Sequence, residues 1–142
     1  MSTDLVSGLI DRLHSAVPEL LLVAGAAGFA AVSDANPPAT PAAYVFLTGE
    51  GGGEESIDEP FIQRIDISLA VVLVIRHAGA AAGAGAAADM EILADTVRAA
   101  LRGFFPSVGH EPMRFQSAAL LAFRDRHEWW QQIWQTATYE GV

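Results

Sequence analysis

Cysteine is absent from the 142 residues, so disulfide staples, thiolate nucleophiles and cysteine-ligated zinc are excluded. Lysine is absent too. All eight basic residues are arginine, set against seventeen acidic ones, for a net charge of −9. An acidic chain without a basic block argues against direct recognition of nucleic acid and against docking on an anionic membrane. No apolar run is long enough to cross a bilayer as a helix: the most apolar one, Ile65 to Ile75, is interrupted by Asp66 and Ser68. The start, Met1-Ser2-Thr3-Asp4, lacks the basic opening of a secretion signal, which leads to the expectation of a protein made and kept inside a cell.

What is plentiful is apolar. Hydrophobic residues make up 51% of the chain and charged ones 18%, more apolar surface than a monomer of this length needs for its core, so part of it is expected in an interface. The length suits one domain over residues 1–142.

Leu5, Leu9, Leu13 and Val17 recur every four residues, with Asp4, Ser7, Asp11 and His14 opposite, which predicts an amphipathic helix stopped at Pro18. Ala26 to Val32 fits a turn of helix before the prolines at 37, 38 and 41. Tyr44 to Thr48 reads as a buried strand. Gly49 to Pro60, with four glycines and five acidic residues, reads as a mobile acidic loop. From Phe61 to His77 the period is two. Ile65, Ile67, Leu69, Val71, Leu73 and Ile75 share one face, while the other passes from Arg64, Asp66 and Ser68 to Val72 and Val74. One end of this strand is therefore expected to be covered on both sides and the other on one. After an Ala/Gly connector at 78–88, Asp89 opens a second predicted helix with Met90, Leu93, Ala94, Val97, Leu101 and Phe104 inward, ended by Gly103 to Pro106. Arg114 to Arg124 and Glu128 to Tyr139 read as a hairpin around Asp125, Arg126 and His127. The sum is an α+β fold: a mixed, mainly antiparallel sheet with two helices packed on it.

Chemical motifs are weak. Gly83, Gly85 and Ala88 have dinucleotide-fingerprint spacing, but residues intervene after the strand and no acidic partner follows. Gly49 and Gly51 to Gly53 resemble a phosphate loop without its lysine, among carboxylates that repel phosphate. His127, Glu128 and Asp125, with His77 or His110, supply metal-ligand residue types without a ligand spacing. No Gly-x-Ser-x-Gly elbow accompanies the serines. The reading is of no enzyme, no cofactor and no metal. Trp129, Trp130 and Trp134 are different: alternation sends Trp130 and Trp134 to one face and Trp129 with Ile133 to the other, either as core or, on one side, as anchors for a partner.

The run Ile10, Leu13, Val17, Pro18, Leu20, Val23, Gly25, Ala26, then Ala39-Thr40-Pro41-Ala42-Ala43-Tyr44-Val45, then Arg64, Val71, Leu73, Val74, Arg76, and finally Leu121, Asp125, Trp129, Trp130 and Trp134, resembles the small tail terminator proteins of long-tailed phages and prophages. The similarity covers nearly the whole chain. It implies a structural virion protein that forms a six-membered ring on the head-proximal end of the tail tube, stops tube growth and meets the neck. The implied partners are further copies of itself, the tail tube protein and a head-completion or neck protein, assembled in the host cytoplasm. For the contact between copies the candidates are Arg64 and Arg76 against Glu50, Glu54 and Glu55 of the acidic loop, with Trp129 and Trp130 as anchors. The alternatives are another neck or tail-completion protein of the same virion, and a small ligand-binding domain of a bacterial host.

Overall fold

The computed structural model describes residues 2–55, 61–77 and 84–141, with side chains over 5–53, 61–77 and 89–141. The tip of the predicted acidic loop at 56–60, the 78–83 part of the connector and the side chains of Glu54 and Glu55 lie outside this description.

Helix α1 (Ser2–Ala16) forms where the four-residue spacing places it. Its stripe Leu5, Leu9 and Leu13, with Val17 just beyond, is at most 1% exposed. A short β1 (Leu22–Ala24) and a short helix α2 (Ala26–Ala31) follow, then the long hairpin β2 (Ala42–Glu55) and β3 (Ile62–Arg76). Helix α3 (Ala84–Leu101) leads to the final hairpin, β4 (Arg114–Arg124) and β5 (His127–Gly141). The five strands make one sheet in the order β1-β2-β3-β5-β4. Only β1 and β2 run parallel; the other three pairs are antiparallel. The fold is thus α+β with a mixed, mainly antiparallel sheet.

The period-two pattern of β3 sorts the core as its sequence predicts. Ile67, Leu69, Val71 and Leu73 join α1, α3 and Trp134 on one face. Val72 and Val74 meet Val32, Tyr44 and Trp129 on the other, roofed by Phe29 of α2. Towards Ile62 the second face opens, so one end of β3 is buried on both sides and the other is not. A guanidinium pins the two main helices: Arg12 Nε donates to the Ala100 carbonyl at 2.9 Å.

Three readings need correction. The segment from Gly49 to Glu55 is strand rather than mobile loop, because β3 offers its backbone groups a ladder: Gly49 pairs with Ser68, Glu50 with Ile67 and Gly52 with Ile65. Gly53 stands close to β3: a Cβ there would sit 2.7 Å from Asp66 Oδ2, a side-chain tip that would have to swing aside. The second correction is that α3 starts at Ala84 and not at Asp89, since alanine has the highest helix propensity and extends the helix back into the connector. The final turn is tighter than read: Asp125 and Arg126 alone lie at φ 51° and 63°, the geometry of a two-residue hairpin, and the Arg126 carbonyl accepts from the His77 amide at 2.7 Å.

Candidate assembly surfaces

Among the described residues, the sheet ends in two edges that no further strand covers, β4 and the part of β2 beyond β1. β4 is the last strand on its side and is half-buried or exposed along its whole length. Between Arg114 and Arg124 it carries Phe115, Gln116, Ser117, Ala118, Ala119, Leu120, Leu121, Ala122 and Phe123, with no charge and no proline. Leu120, Leu121 and Phe123 are about half exposed. Such an edge is a template for another strand, which edges in soluble proteins ordinarily suppress with charge, proline or cover. On the opposite side β1 covers β2 only from Ala42 to Tyr44. Beyond that point β2 runs to Glu55 with β3 on one side and, among the described residues, no strand on the other.

Of the residues singled out from sequence, Arg64 is committed within its own chain. Its Nη1 and Nη2 grip both oxygens of Glu111 at 2.6 and 2.9 Å, its Nε reaches Asp66 Oδ1 at 2.8 Å, and its Nη1 also donates to the Tyr139 hydroxyl at 2.8 Å. Tyr139 in turn donates to Glu111 Oε2 at 2.5 Å. The hydrogen bonds from Arg64 and then Tyr139 hold the Glu111 carboxyl down at about 2 against an ordinary 4.5. The same bond to Glu111 raises the Arg64 guanidinium and the Tyr139 phenol above their usual ranges. This clasp ties the segment after α3 to β3 and β5. Glu111 was missed from sequence because no spacing links it to Arg64, 47 positions away.

Glu50 is exposed on the uncovered part of β2, and Arg76 is exposed at the end of β3. The tryptophans divide as alternation predicts. Trp134 is core beside α3, and its Nε1 donates to Gln132 Oε1 at 3.0 Å. Trp129 lies 3% exposed in the second cluster, below the guanidinium of Arg124 at 4.6 Å. It is a packing residue and presents no face to a partner. Trp130 is half-buried and floors a groove of about 370 Å³ against Met90, Ala94 and Arg98 of α3. Two of the four histidines are engaged within the chain: His77 Nε2 lies 2.9 Å from Glu128 Oε1, and His127 Nδ1 lies 2.7 Å from the Asp125 carbonyl.

Comparison with known proteins gives a family match over residues 3–141, described as Phage tail terminator protein. No curated protein matches the chain. Among solved structures, a chain from "Virion of native gene transfer agent (GTA) particle" is similar at 17% identity, with a TM-score of 0.48, over 93% of this chain and 84% of that one.

Proposed function

The chain belongs to the phage tail terminator family, a structural family of the phage tail, and we propose that it caps the head-proximal end of the tail tube. In that position it ends tube polymerisation and forms the tail side of the head–tail joint. The observation that carries this reading is the extent of the match: residues 3–141 contain both long helices and all five strands, so the resemblance is to the whole architecture and not to one motif. Family membership also favours a virion role over the alternative of a bacterial ligand-binding domain.

Six copies close into a ring on the tube, with the tail tube protein on one side and a neck protein on the other, assembling in the host cytoplasm and entering the virion. A ring of identical subunits needs a heterologous contact, in which one patch meets a different patch on the next copy. The two unlike uncovered edges of the sheet suit such a contact. The role involves no catalytic step, cofactor or metal. The test is loss of the gene in a tail-producing strain, read by electron microscopy. Tails of irregular length, unattached to heads and restored by the wild-type gene, are the expected result. Tails of normal length joined to heads in its absence would refute the proposal, and immunogold label against the protein found elsewhere in the wild-type virion would assign it to a different neck or tail-completion role.

A further inference from the structure

The two uncovered edges match in direction, height and charge. Because β2 is antiparallel to β3, β3 to β5, and β5 to β4, strands β2 and β4 run in opposite directions. A rotation about an axis along the strands preserves direction and height, so a ring built that way sets β4 of one copy antiparallel to β2 of the next. The ladder also fixes which residues share a height. Gly49 pairs with Ser68, Ser68 with Gln135 and Gln135 with Arg114, one row across the sheet. Arg114 and the Gly49-Glu50 step thus stand at opposite ends of a single row. Each strand carries an extra residue close to this height, where its pairing shifts between Leu47 and Gly49 and between Phe115 and Ser117.

We propose that the first half of β4, from Arg114 to Ala118, adds as an antiparallel strand to the uncovered stretch of β2 around Phe46 to Glu50 in a second copy, with Arg114 meeting Glu50. This rests on the ring reading above and names the contact that closes it. Charge complementarity selects the occupant. Arg114 is half exposed and, among the described residues, its Nη1 donates to Glu111, leaving the rest of its guanidinium for a neighbour. Glu50 is exposed on the facing edge. Pairing of β4 with another β4 would instead set Arg114 against Arg124 in the fully overlapped antiparallel register, and like charges directly opposite are destabilising. β1, three residues long, cannot satisfy an eleven-residue edge.

Because the chain contains no cysteine, introduced thiols are unique probes. Thr48 and Gln116 are exposed and lie near the shared row. Tails carrying the Thr48→Cys, Gln116→Cys double variant are treated with a short bis-maleimide. The expected result is a cross-linked series from dimer to hexamer, with each single variant remaining monomeric. A second pair, Glu50→Cys with Arg114→Cys, guards against a local failure of folding. Rings visible on the tails without cross-links from either pair would overturn the edge assignment while leaving the terminator reading intact. Tails with no ring of this protein would overturn both. Cross-linking of Gln116→Cys alone, or to a different virion protein, would replace the proposed occupant and overturn the assignment.

Discussion

Gly8 lies in the middle of α1, where alanine ordinarily stabilises a helix over glycine by about 1 kcal/mol. Here Gly8→Ala is expected to destabilise. A Cβ at this position would overlap the carbonyl oxygen of Pro106, with the carbonyl carbon at 3.3 Å and the Cα at 3.8 Å. All three are backbone atoms, so no side chain can rotate away. Moving α1 would open the contacts of Leu5, Leu9 and Leu13, which are at most 1% exposed. Moving the facing segment would strain Gly103 N to Met113 O at 2.9 Å and Met113 N to Phe104 O at 2.8 Å. Overpacking of a filled interior costs about 1–3 kcal/mol, and two main chains in contact place this case at the upper end. After the propensity gain is subtracted, the net loss is about 2 kcal/mol. For a chain of this size that corresponds to a fall in Tm of roughly 6–10 °C. Thermal and urea unfolding followed by circular dichroism measures it, with Ser7→Ala, exposed one residue away, as the propensity control. A Gly8→Ala protein as stable as wild type or more so, alongside a neutral or stabilised Ser7→Ala, would refute the close approach.

How much was legible in the sequence follows from which interactions are local. The stripe of α1 and the alternation of β3 depend only on residues two to four positions apart, so both elements and the two-sided burial of Val72 and Val74 could be read directly. The stretch from Gly49 to Glu55 could not. Its glycines and carboxylates have the composition of a loop, and it is strand because β3 satisfies its backbone along the full hairpin. The stretch 84–88 likewise reads as connector because Gly85 interrupts its alanines, yet the four alanines carry the helix through it. Among the site residues, the exposure of Glu50 followed from composition, whereas the capture of Arg64 by Glu111 and Tyr139 arises from chain reversals that bring residues 47 and 75 positions apart together. β4 shows the opposite difficulty. Arg114 to Arg124 reads as one strand of a hairpin, and the place of that strand in the sheet, at its end, comes only from the strand order.

The clasp gives a pH signature. Glu111 has a folded-state value of about 2, below its ordinary 4.5, so its stabilisation is present in full above 4.5 and is lost as pH falls towards 2. Urea midpoints of Glu111→Gln should therefore fall less steeply over that window than those of wild type, and parallel curves would remove Glu111 from the acid limb. Truncating Trp129 to alanine should cost about 3–5 kcal/mol by urea denaturation, more than truncating the half-buried Trp130. A smaller loss at Trp129 would contradict its place in the core. Finally, Gln132 is fully buried and links α3 to the sheet: its Nε2 donates to the Ala94 carbonyl at 3.0 Å while its Oε1 accepts from Trp134 at 3.0 Å. Gln132→Leu keeps most of the volume but leaves a buried indole N–H without an acceptor, at a cost of about 1–3 kcal/mol. If the unpaired N–H is the cause, the same substitution should cost less in a Trp134→Phe background, where no indole remains to be satisfied. A double-mutant cycle isolates that difference. Additive losses would mean that Gln132 acts through its bond to α3 or through packing, and not by satisfying the tryptophan.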